Sequence, residues 1–165
     1  MHKLSVIDVL PPEDYRRGYV AGFFDADGFV GLYIRNDRPT PIICFTNTHV
    51  HVLNWLRTLV FQLEEIDYIH VYPKSRQIKI SRWDQVEKFV NIFKTLCIVK
   101  RRQLELLDEA IKKRRELIAN RKGRKLYANQ DIEAFRKIEQ QIKEEKGNIK
   151  KHWEFAVKGF FPIFG

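Results

Sequence analysis

The stretch Tyr19-Val20-Ala21-Gly22-Phe23-Phe24-Asp25-Ala26-Asp27-Gly28 joins an apolar helical segment directly to two carboxylates and a glycine. Gly18 and Gly22 stand four positions apart with Ala21 beside them, so on a helix these small residues form one smooth strip. A helix with such a strip favours close packing against another helix. We therefore expect Gly18, Ala21 and Gly22 to form a helix–helix interface.

The two carboxylates lie at the unfavourable end of this helix. Asp25 and Asp27 fall in the expected last turn, where the helix dipole disfavours an anion by about 0.3–1 kcal/mol, and Gly28 suits a left-handed position that ends the helix. Residues two apart point to different sides of a helix, so only one carboxylate can face a given ligand. A hard divalent cation held by carboxylate and carbonyl oxygens would relieve the misplaced charge. The alternative is a packed helix followed by a solvated Asp-Gly turn.

Composition narrows the class of protein. A chain of 165 residues suits a single domain, over residues 1–165, and its net charge of +9 favours a polyanion such as nucleic acid or an anionic membrane surface. An apolar run long enough to span a membrane is absent from the sequence, and its first residues lack a signal peptide's apolar region. Cys44 and Cys97 are isolated, as in reduced proteins. We expect a soluble, intracellular protein without a membrane partner.

The periodicity of apolar residues predicts an α-β-β-α-β-β-α order. The predicted elements are a helix over 15–26 capped by Asp14, strands over 29–35 and 42–46 joined by a turn over 36–41, a helix over 50–65, a hairpin of strands 68–72 and 77–81, and a helix that Asp84 caps and that runs to residue 96. This core, residues 14–100, is followed by a helical extension over 101–165. In the extension, a helix over 129–146 should bury the stripe Ile132, Phe135, Ile138 and Ile142, and the apolar end over 153–164 should pack on the domain.

The outward positions of the strands favour a nucleic-acid partner. They are rich in aromatic, cationic and hydrogen-bonding side chains, and strands of this kind can enter the major groove of DNA. The residues that we expect to bind DNA are Tyr33, Arg35, Thr40, Tyr68, His70, Tyr72, Lys74, Arg76, Gln77, Lys79 and Ser81. Exposed polar residues are also usual on any half-buried sheet, which alone explains part of the pattern.

Residues 20–28 resemble the nine-residue motif for which the LAGLIDADG homing endonucleases are named. The matching positions are Ala21, Gly22, Asp25, Ala26, Asp27 and Gly28. The motif occurs once, and single-motif members are homodimers whose motif helices pack together at the two-fold axis. The resemblance implies an α+β, αββαββα fold with an antiparallel sheet as a DNA-binding saddle. It also implies a site-specific endonuclease that cuts both strands of a long, roughly palindromic DNA site and leaves short 3′ overhangs.

The resemblance also implies which residues carry the chemistry. Asp27, with the carbonyl of Ala26, would hold Mg²⁺ or another divalent cation such as Mn²⁺, whereas Ca²⁺ would bind without supporting cleavage. Lys100 matches an active-site lysine of single-motif relatives, although a lysine before two arginines is also typical of a solvated basic run. Asn47 matches a polar residue that orders water near the metal, or it is the N-cap of the next helix. Asp25 is assigned to the helix end or the interface.

Other functions fit parts of the pattern. His49 and His51 are not accompanied by Cys or His at zinc spacing, so we reject a zinc or HNH-type nuclease site. An RNA maturase that assists intron splicing could keep the motif helix for packing alone, and a transcription regulator is a more remote alternative. The basic stretch over 112–125 would contact phosphates or form a solvated loop. We expect an intron-encoded nuclease of an organelle or a prokaryotic cytoplasm.

Overall fold

A computed structural model describes residues 12–64, 66, 70–72, 74, 76–120 and 127–160. The elements are α1 (Glu13–Asp27), β1 (Gly28–Arg35), β2 (Arg38–Thr46), α2 (Val50–Glu64), β3 (His70–Tyr72), β4 (Gln77–Ile80), α3 (Trp83–Phe93), α4 (Arg101–Ala119) and α5 (Asn129–Phe160). The predicted αββαββα order is confirmed, and two further helices follow it. The fold is therefore α+β, as the sequence indicates.

The sheet separates a buried face from an open one. Its strands run antiparallel in the order β1-β2-β4-β3. Alternate residues of β1, β2 and β4 point to the inner face, where they are almost completely buried; these are Val30, Leu32, Ile43, Phe45, Ile78 and Ile80. The rings of Phe24 in α1 and Phe89 in α3 meet Phe45, with centroids 5.1 and 5.8 Å away. This aromatic cluster fixes α1 against the inner face, so the end of α1 is held at the beginning of β1.

The predicted boundaries of the first hairpin are wrong. Its turn is only Asn36 and Asp37, both with positive φ, and β2 begins at residue 38 rather than 42. Two positive φ values suit the tight turns that match strand twist. Pro39 and Pro41 lie inside β2, where β1 pairs with them on one side and β4, which pairs only with Ile43–Thr46, leaves the other side free. A missing N–H at a free strand edge costs no ladder hydrogen bond.

Two predictions about α1 are also wrong. The helix begins at Glu13 after Pro12, so Asp14 is a residue of the first turn and makes no cap. Gly28 is extended, with φ −78° and ψ 162°, rather than left-handed. Glycine is needed there for space: a Cβ at Gly28 would collide with the ring and the carbonyl oxygen of Phe24. The chain therefore passes from helix to strand without a turn, which brings Asp27 to the first pair of the sheet.

Smaller differences concern the other helices. α3 begins at Trp83 and ends at Phe93, and Asp84 pairs with Arg82 instead of capping the helix. α5 continues well beyond residue 146, and its predicted buried stripe is confirmed. The predicted packing of the apolar end over 153–164 lies outside the residues whose side chains are described. Over the described ranges, every helix is too short or too polar to cross a membrane.

Candidate functional site

The exposed residues Ala26 and Asp27 form the end of α1, and the oxygens of the Ala26 carbonyl and the Asp27 carboxylate are here called the corner of Asp27. A helix has no internal donors for its last four carbonyls, which in α1 belong to residues 24–27. Phe24 O accepts from the Gly28 N–H, Asp25 O from Lys100 Nζ at 2.5 Å, and Asp27 O from the Thr46 hydroxyl at 3.1 Å. Within the described part of the chain, the Ala26 carbonyl and the exposed Asp27 carboxylate have no hydrogen-bond or ion-pair partner. These are the two groups that the resemblance assigns to a metal.

Asp25 has the opposite surroundings. Its carboxylate accepts hydrogen bonds from the backbone N–H groups of Ile98 at 2.7 Å and Lys100 at 2.9 Å. These groups lie at the beginning of α4, whose N-cap, Lys100, makes no side-chain cap. Asp25 therefore binds the backbone just before α4, and its bond to Lys100 joins residues 75 positions apart, so it is an intrachain anchor as well as a helix-end residue.

Asp25 bonds both the backbone and the side chain of Lys100. The backbone N–H of Lys100 bonds the Asp25 carboxylate, and its ammonium bonds the Asp25 carbonyl oxygen. The side chain is buried and its Nζ lies 5.9 Å from the centroid of the Phe24 ring. Burial lowers the pKa of Lys100, and the negative charges of Asp25 and Asp27 oppose that shift. Lys100 therefore lies close enough to Asp27 for their charges to interact.

Asn47 is not the N-cap of α2, because the helix begins at Val50 and His49 directly precedes it; the role of Asn47 near a metal stays a prediction. The Oδ1 of Asn47 accepts the His49 N–H at 2.8 Å just before α2, and its own N–H bonds Arg76 O at 3.1 Å. The residue also lines a cavity of about 370 Å³ together with Asp27. The amide oxygen of Asn47 is thus used in the turn that precedes α2, while the residue lines the same cavity as Asp27.

Most of the residues expected to bind DNA lie on the outer face of the sheet. The strand register places Tyr33 opposite Thr40, Gln77 between Thr46 and Tyr72, and Lys79 between Cys44 and His70. The Lys79 ammonium lies 4.9 Å from the Tyr72 ring centroid. Other expected residues lie at the rim: Arg35 at the end of β1, Lys74 and Arg76 between β3 and β4, and Ser81 after β4. Tyr68 lies outside the described residues.

Only part of the strip of small residues on α1 is exposed. Around Gly18 and Gly22 a Cβ would meet nothing within 4 Å, so both face open space. Tyr15 and Tyr19 flank them and are 63% and 38% exposed. Ala21, which we expected in the same strip, is 4% exposed and packs inside its own chain. The accessible strip therefore consists of Tyr15, Gly18, Tyr19 and Gly22.

Some cations of the basic stretch expected to contact phosphates form ion pairs with acids of the same chain. Lys112 pairs with Asp108 at 3.1 Å, and Arg115 pairs with Glu87 at 2.5 Å. Residues 121–126 of this stretch lie outside the described part. The cations of both pairs are about two-thirds exposed, whereas their acids are largely buried, so the cations remain accessible to a polyanion.

A second cavity adds a residue that the sequence analysis missed. A space of about 430 Å³ opens beside Asp27 on the outer face of the sheet, and its lining includes Thr46, Gln77, Lys79 and, from α5, Lys146. The Lys146 ammonium lies 5.0 Å from the centroid of the Phe29 ring. The sequence carried a signal, since Lys146 stands four residues after Ile142 and so continues the buried stripe of α5 with a charge.

The donor set at this corner fits a hard divalent cation. A carboxylate and a backbone carbonyl are oxygen ligands of the kind that Mg²⁺ binds, together with water and substrate phosphates. Groups of three or more His, Cys, Asp or Glu side chains that could hold a metal are absent from the part of the chain that the structure describes. Among the described residues, Asp27 and the Ala26 carbonyl are thus the groups at this corner that could hold such a cation.

Comparison with known proteins rests on structure. The sequence matches no family model and no curated protein. The homing endonuclease I-CvuI, in complex with the I-CreI target in 2 mM Mg with its DNA not cleaved, has a TM-score of 0.53 at 15% identity; the match covers 79% of this chain and 96% of that chain. The archaeal intron-encoded endonuclease I-Vdi141I, complexed with DNA, has a TM-score of 0.53 at 18% identity, covering 80% and 99%.

Larger proteins contain a similar unit. The meganuclease I-SmaMI, bound to uncleavable DNA, has a TM-score of 0.60 at 11% identity over 79% of this chain, which spans 44% of the length of that protein. The LAGLIDADG meganuclease I-AabMI, bound to uncleaved DNA, has a TM-score of 0.50, and here the chain spans 37% of the relative's length. The chain has the LAGLIDADG homing endonuclease fold.

Proposed function

We propose that the chain is one subunit of a homodimeric, divalent-metal-dependent endonuclease that cuts double-stranded DNA at a specific site. The observation that carries the proposal is the corner at the end of α1. Its carboxylate and carbonyl, from Asp27 and Ala26, have no partners among the described residues, and it opens onto a sheet face that carries aromatic and cationic groups.

Asp27 and the Ala26 carbonyl would hold the cation, which would be Mg²⁺ or Mn²⁺ during cleavage. A cation held there would supply Lewis-acid stabilisation of the scissile phosphate and of the leaving 3′ oxygen, and would lower the pKa of a bound water. Ca²⁺ binds at the same oxygens without supporting cleavage. Because one chain offers one carboxylate, each subunit serves one strand.

Lys100 and Asn47 act on the reacting groups from two sides. The Lys100 ammonium, fixed by Asp25, stabilises the negative charge that develops on the phosphate or assists the attacking water. Asn47 retains its amide N–H groups, since its Oδ1 is the atom used by His49, and these can orient solvent beside Asp27.

The outer face of the sheet positions the DNA. β2 has nine residues, which at about 3.3 Å each cover about 30 Å, or about nine base pairs at 3.4 Å. Tyr33, Thr40, Gln77 and Lys79 provide the hydrogen-bonding and stacking groups for base edges and phosphates. Two subunits would read about twice that length as an approximately palindromic site.

The dimer forms through the open strip of α1. Gly18 and Gly22 let a second copy of the helix approach closely, and Tyr19 borders the contact. Ile98, which is 81% exposed, lies on the loop held by Asp25 beside the same helix end. Packing there buries this apolar side chain and brings two Asp27 corners side by side.

Selection of cleaved DNA from a random library in Mg²⁺ tests the proposal. We expect recovery of one long, roughly palindromic site, with staggered ends and no product in EDTA. Cleavage of sites without any two-fold symmetry would contradict the homodimer. Absence of cleavage, together with tight binding of structured intron RNA, would contradict the nuclease and favour an RNA maturase. The site would identify the host gene, which for an intron-encoded enzyme belongs to an organelle or a prokaryote.

A further inference from the structure

Lys146 occupies a position that neither the motif nor the core fold accounts for. It belongs to α5, in the extension that follows the αββαββα core, yet it lines the same cavity as Asp27. The cavity is open on the outer face of the sheet. At about 430 Å³ it is much larger than the roughly 30 Å³ share of one water. It therefore has room for a phosphate group with accompanying solvent.

α5 holds this lysine in place through contacts on two elements. Ile142, one turn earlier, is 3% exposed, and its carbonyl accepts a hydrogen bond from Gln103 Nε2 of α4 at 3.3 Å. Residues of the same face of α5 border a third cavity, of about 220 Å³, along β1. The helix is thus fixed along the edge of the sheet, and Lys146 is the point at which it reaches the corner of Asp27.

Lys146 and Lys143 differ in whether an acid of the described residues pairs with their charge. Lys143, on the same face, forms an ion pair with Glu139 at 2.7 Å. Among the described residues, no acid pairs with Lys146, whose ammonium rests on the Phe29 ring. A cation on an aromatic face keeps its N–H groups free for an anion beyond the ring.

The cavity has an excess of positive charge that an anion would balance. Asp27 is the carboxylate in its lining, and Lys79 and Lys146 are two ammonium groups. The cavity lies on the surface proposed to bind DNA, so the anion is a backbone phosphate. Lys146 also lies close enough to act electrostatically on Lys100, which approaches the same corner from α4.

We propose that Lys146 binds a backbone phosphate of the cleaved strand beside Asp27, so that the α5 extension contributes directly to the cleavage site. The inference rests on the proposed function. Lys146 would make a charge-assisted hydrogen bond to a non-bridging phosphate oxygen and hold the strand against the corner while Asp27 and Lys100 act. Phe29 orients the lysine, and Gly31 leaves the space for its ring, since a Cβ at Gly31 would lie 2.6 Å from the ring of Phe29.

The test compares Lys146→Met with Lys143→Met, which removes a lysine one turn earlier on the same face. Each variant is assayed on the selected DNA site, by single-turnover cleavage in Mg²⁺ and by binding in Ca²⁺ at several salt concentrations. For Lys146→Met we expect cleavage to slow about 10- to 100-fold. The slope of log K against log salt should fall by about one, as for one lost phosphate contact. Lys146→Arg should retain cleavage within about threefold, because it keeps the charge.

Lys143→Met should cleave within about threefold of the wild type, and all variants should keep the wild-type unfolding midpoint. Wild-type cleavage and an unchanged salt slope in Lys146→Met would overturn the inference while leaving the proposed nuclease intact. An equal loss in Lys143→Met would also overturn it, because the effect would then be the general charge of α5. If the wild type binds DNA but never cleaves, the proposed function fails, and the salt slope still decides whether Lys146 contacts a phosphate.

Discussion

Asp25 and Asp27 lie two residues apart at the end of α1, yet their carboxylates face different parts of the molecule. Asp25 faces α4 and holds the backbone of Ile98 and Lys100. Asp27 faces two open cavities beside the sheet and has no side-chain partner among the described residues. Residues two apart are separated by about 200° around a helix axis. Helix geometry therefore gives the two acids different surroundings, and only the Asp25 carboxylate is bonded within the described residues.

The largest expected effect on stability comes from removing the structural acid. Asp25→Ala removes a charged acceptor from two backbone N–H groups, and hydrogen bonds to charged groups contribute about 1.5–3 kcal/mol each. We expect the free energy of unfolding in urea to fall by about 2–4 kcal/mol, allowing for partial exposure. Asp27→Ala is the matched control and should change it by less than about 0.5 kcal/mol. Equal losses in both variants would contradict the distinction between the two acids.

The next effect concerns the lysine that Asp25 positions. Lys100→Met should slow DNA cleavage about 100-fold, which corresponds to about 2.7 kcal/mol of transition-state stabilisation. Its stability at neutral pH should be equal to or above that of the wild type, because burial lowers the pKa of Lys100 and so disfavours its charge in the fold. A cleavage rate unchanged from the wild type would show that Lys100 only fills space.

The same pKa predicts a difference in pH dependence. A lysine whose folded pKa is lowered contributes unfavourably below that pKa, and the penalty disappears as the pH rises to 10.5, its ordinary value. The stability of the wild type relative to Lys100→Met should therefore rise with pH in that window. Urea unfolding of both proteins at several alkaline pH values measures this difference in stability. A difference that stays constant with pH would contradict the lowered pKa of Lys100.

The smallest effect is a change in thiol reactivity. Burial, with a further contribution from the charge of Asp25, raises the pKa of Cys97 to about 12. A raised thiol pKa stabilises the fold fully below about pH 9 and less as the pH approaches 12. In a Cys44→Ser background, Asp25→Asn should speed alkylation of Cys97 by iodoacetamide at pH 9 by less than about tenfold. Asp27→Asn should leave the rate unchanged; equal acceleration by both would contradict the comparison.

Local patterns in the sequence were sufficient for the elements and for the outer face of the sheet. The period of two along Val30, Leu32 and Ile34 predicts a strand with one buried face, and the register confirms the side on which Tyr33 lies. The hairpin turn was misplaced because Pro39 and Pro41 usually mark loops. Their position in β2 depends on how short β4 is, which the prolines themselves do not indicate.

Contacts between distant segments could not be predicted in this way. Asp25 and Lys100 are 75 residues apart, and the local periodicity of apolar residues gives no information about contacts over such a separation. Lys146 is still further from Asp27, and only the packing of α5 along β1 brings it to the same cavity. Gly28 was assigned to the right boundary for the wrong reason, since the limit there is the ring of Phe24 rather than the sign of φ.

Cleavage of a supercoiled plasmid carrying the selected site, in Mg²⁺, by Asp27→Asn beside Asp25→Asn tests the central claim most directly. Asp27→Asn should fold as the wild type does and bind the site in Ca²⁺, yet form linear product at least about 1,000-fold more slowly, which is about 4 kcal/mol. Asp25→Asn should lose stability while retaining measurable Mg²⁺-dependent cleavage. Linear product formed by Asp27→Asn at the wild-type rate would contradict the assignment of Asp27 as the metal ligand.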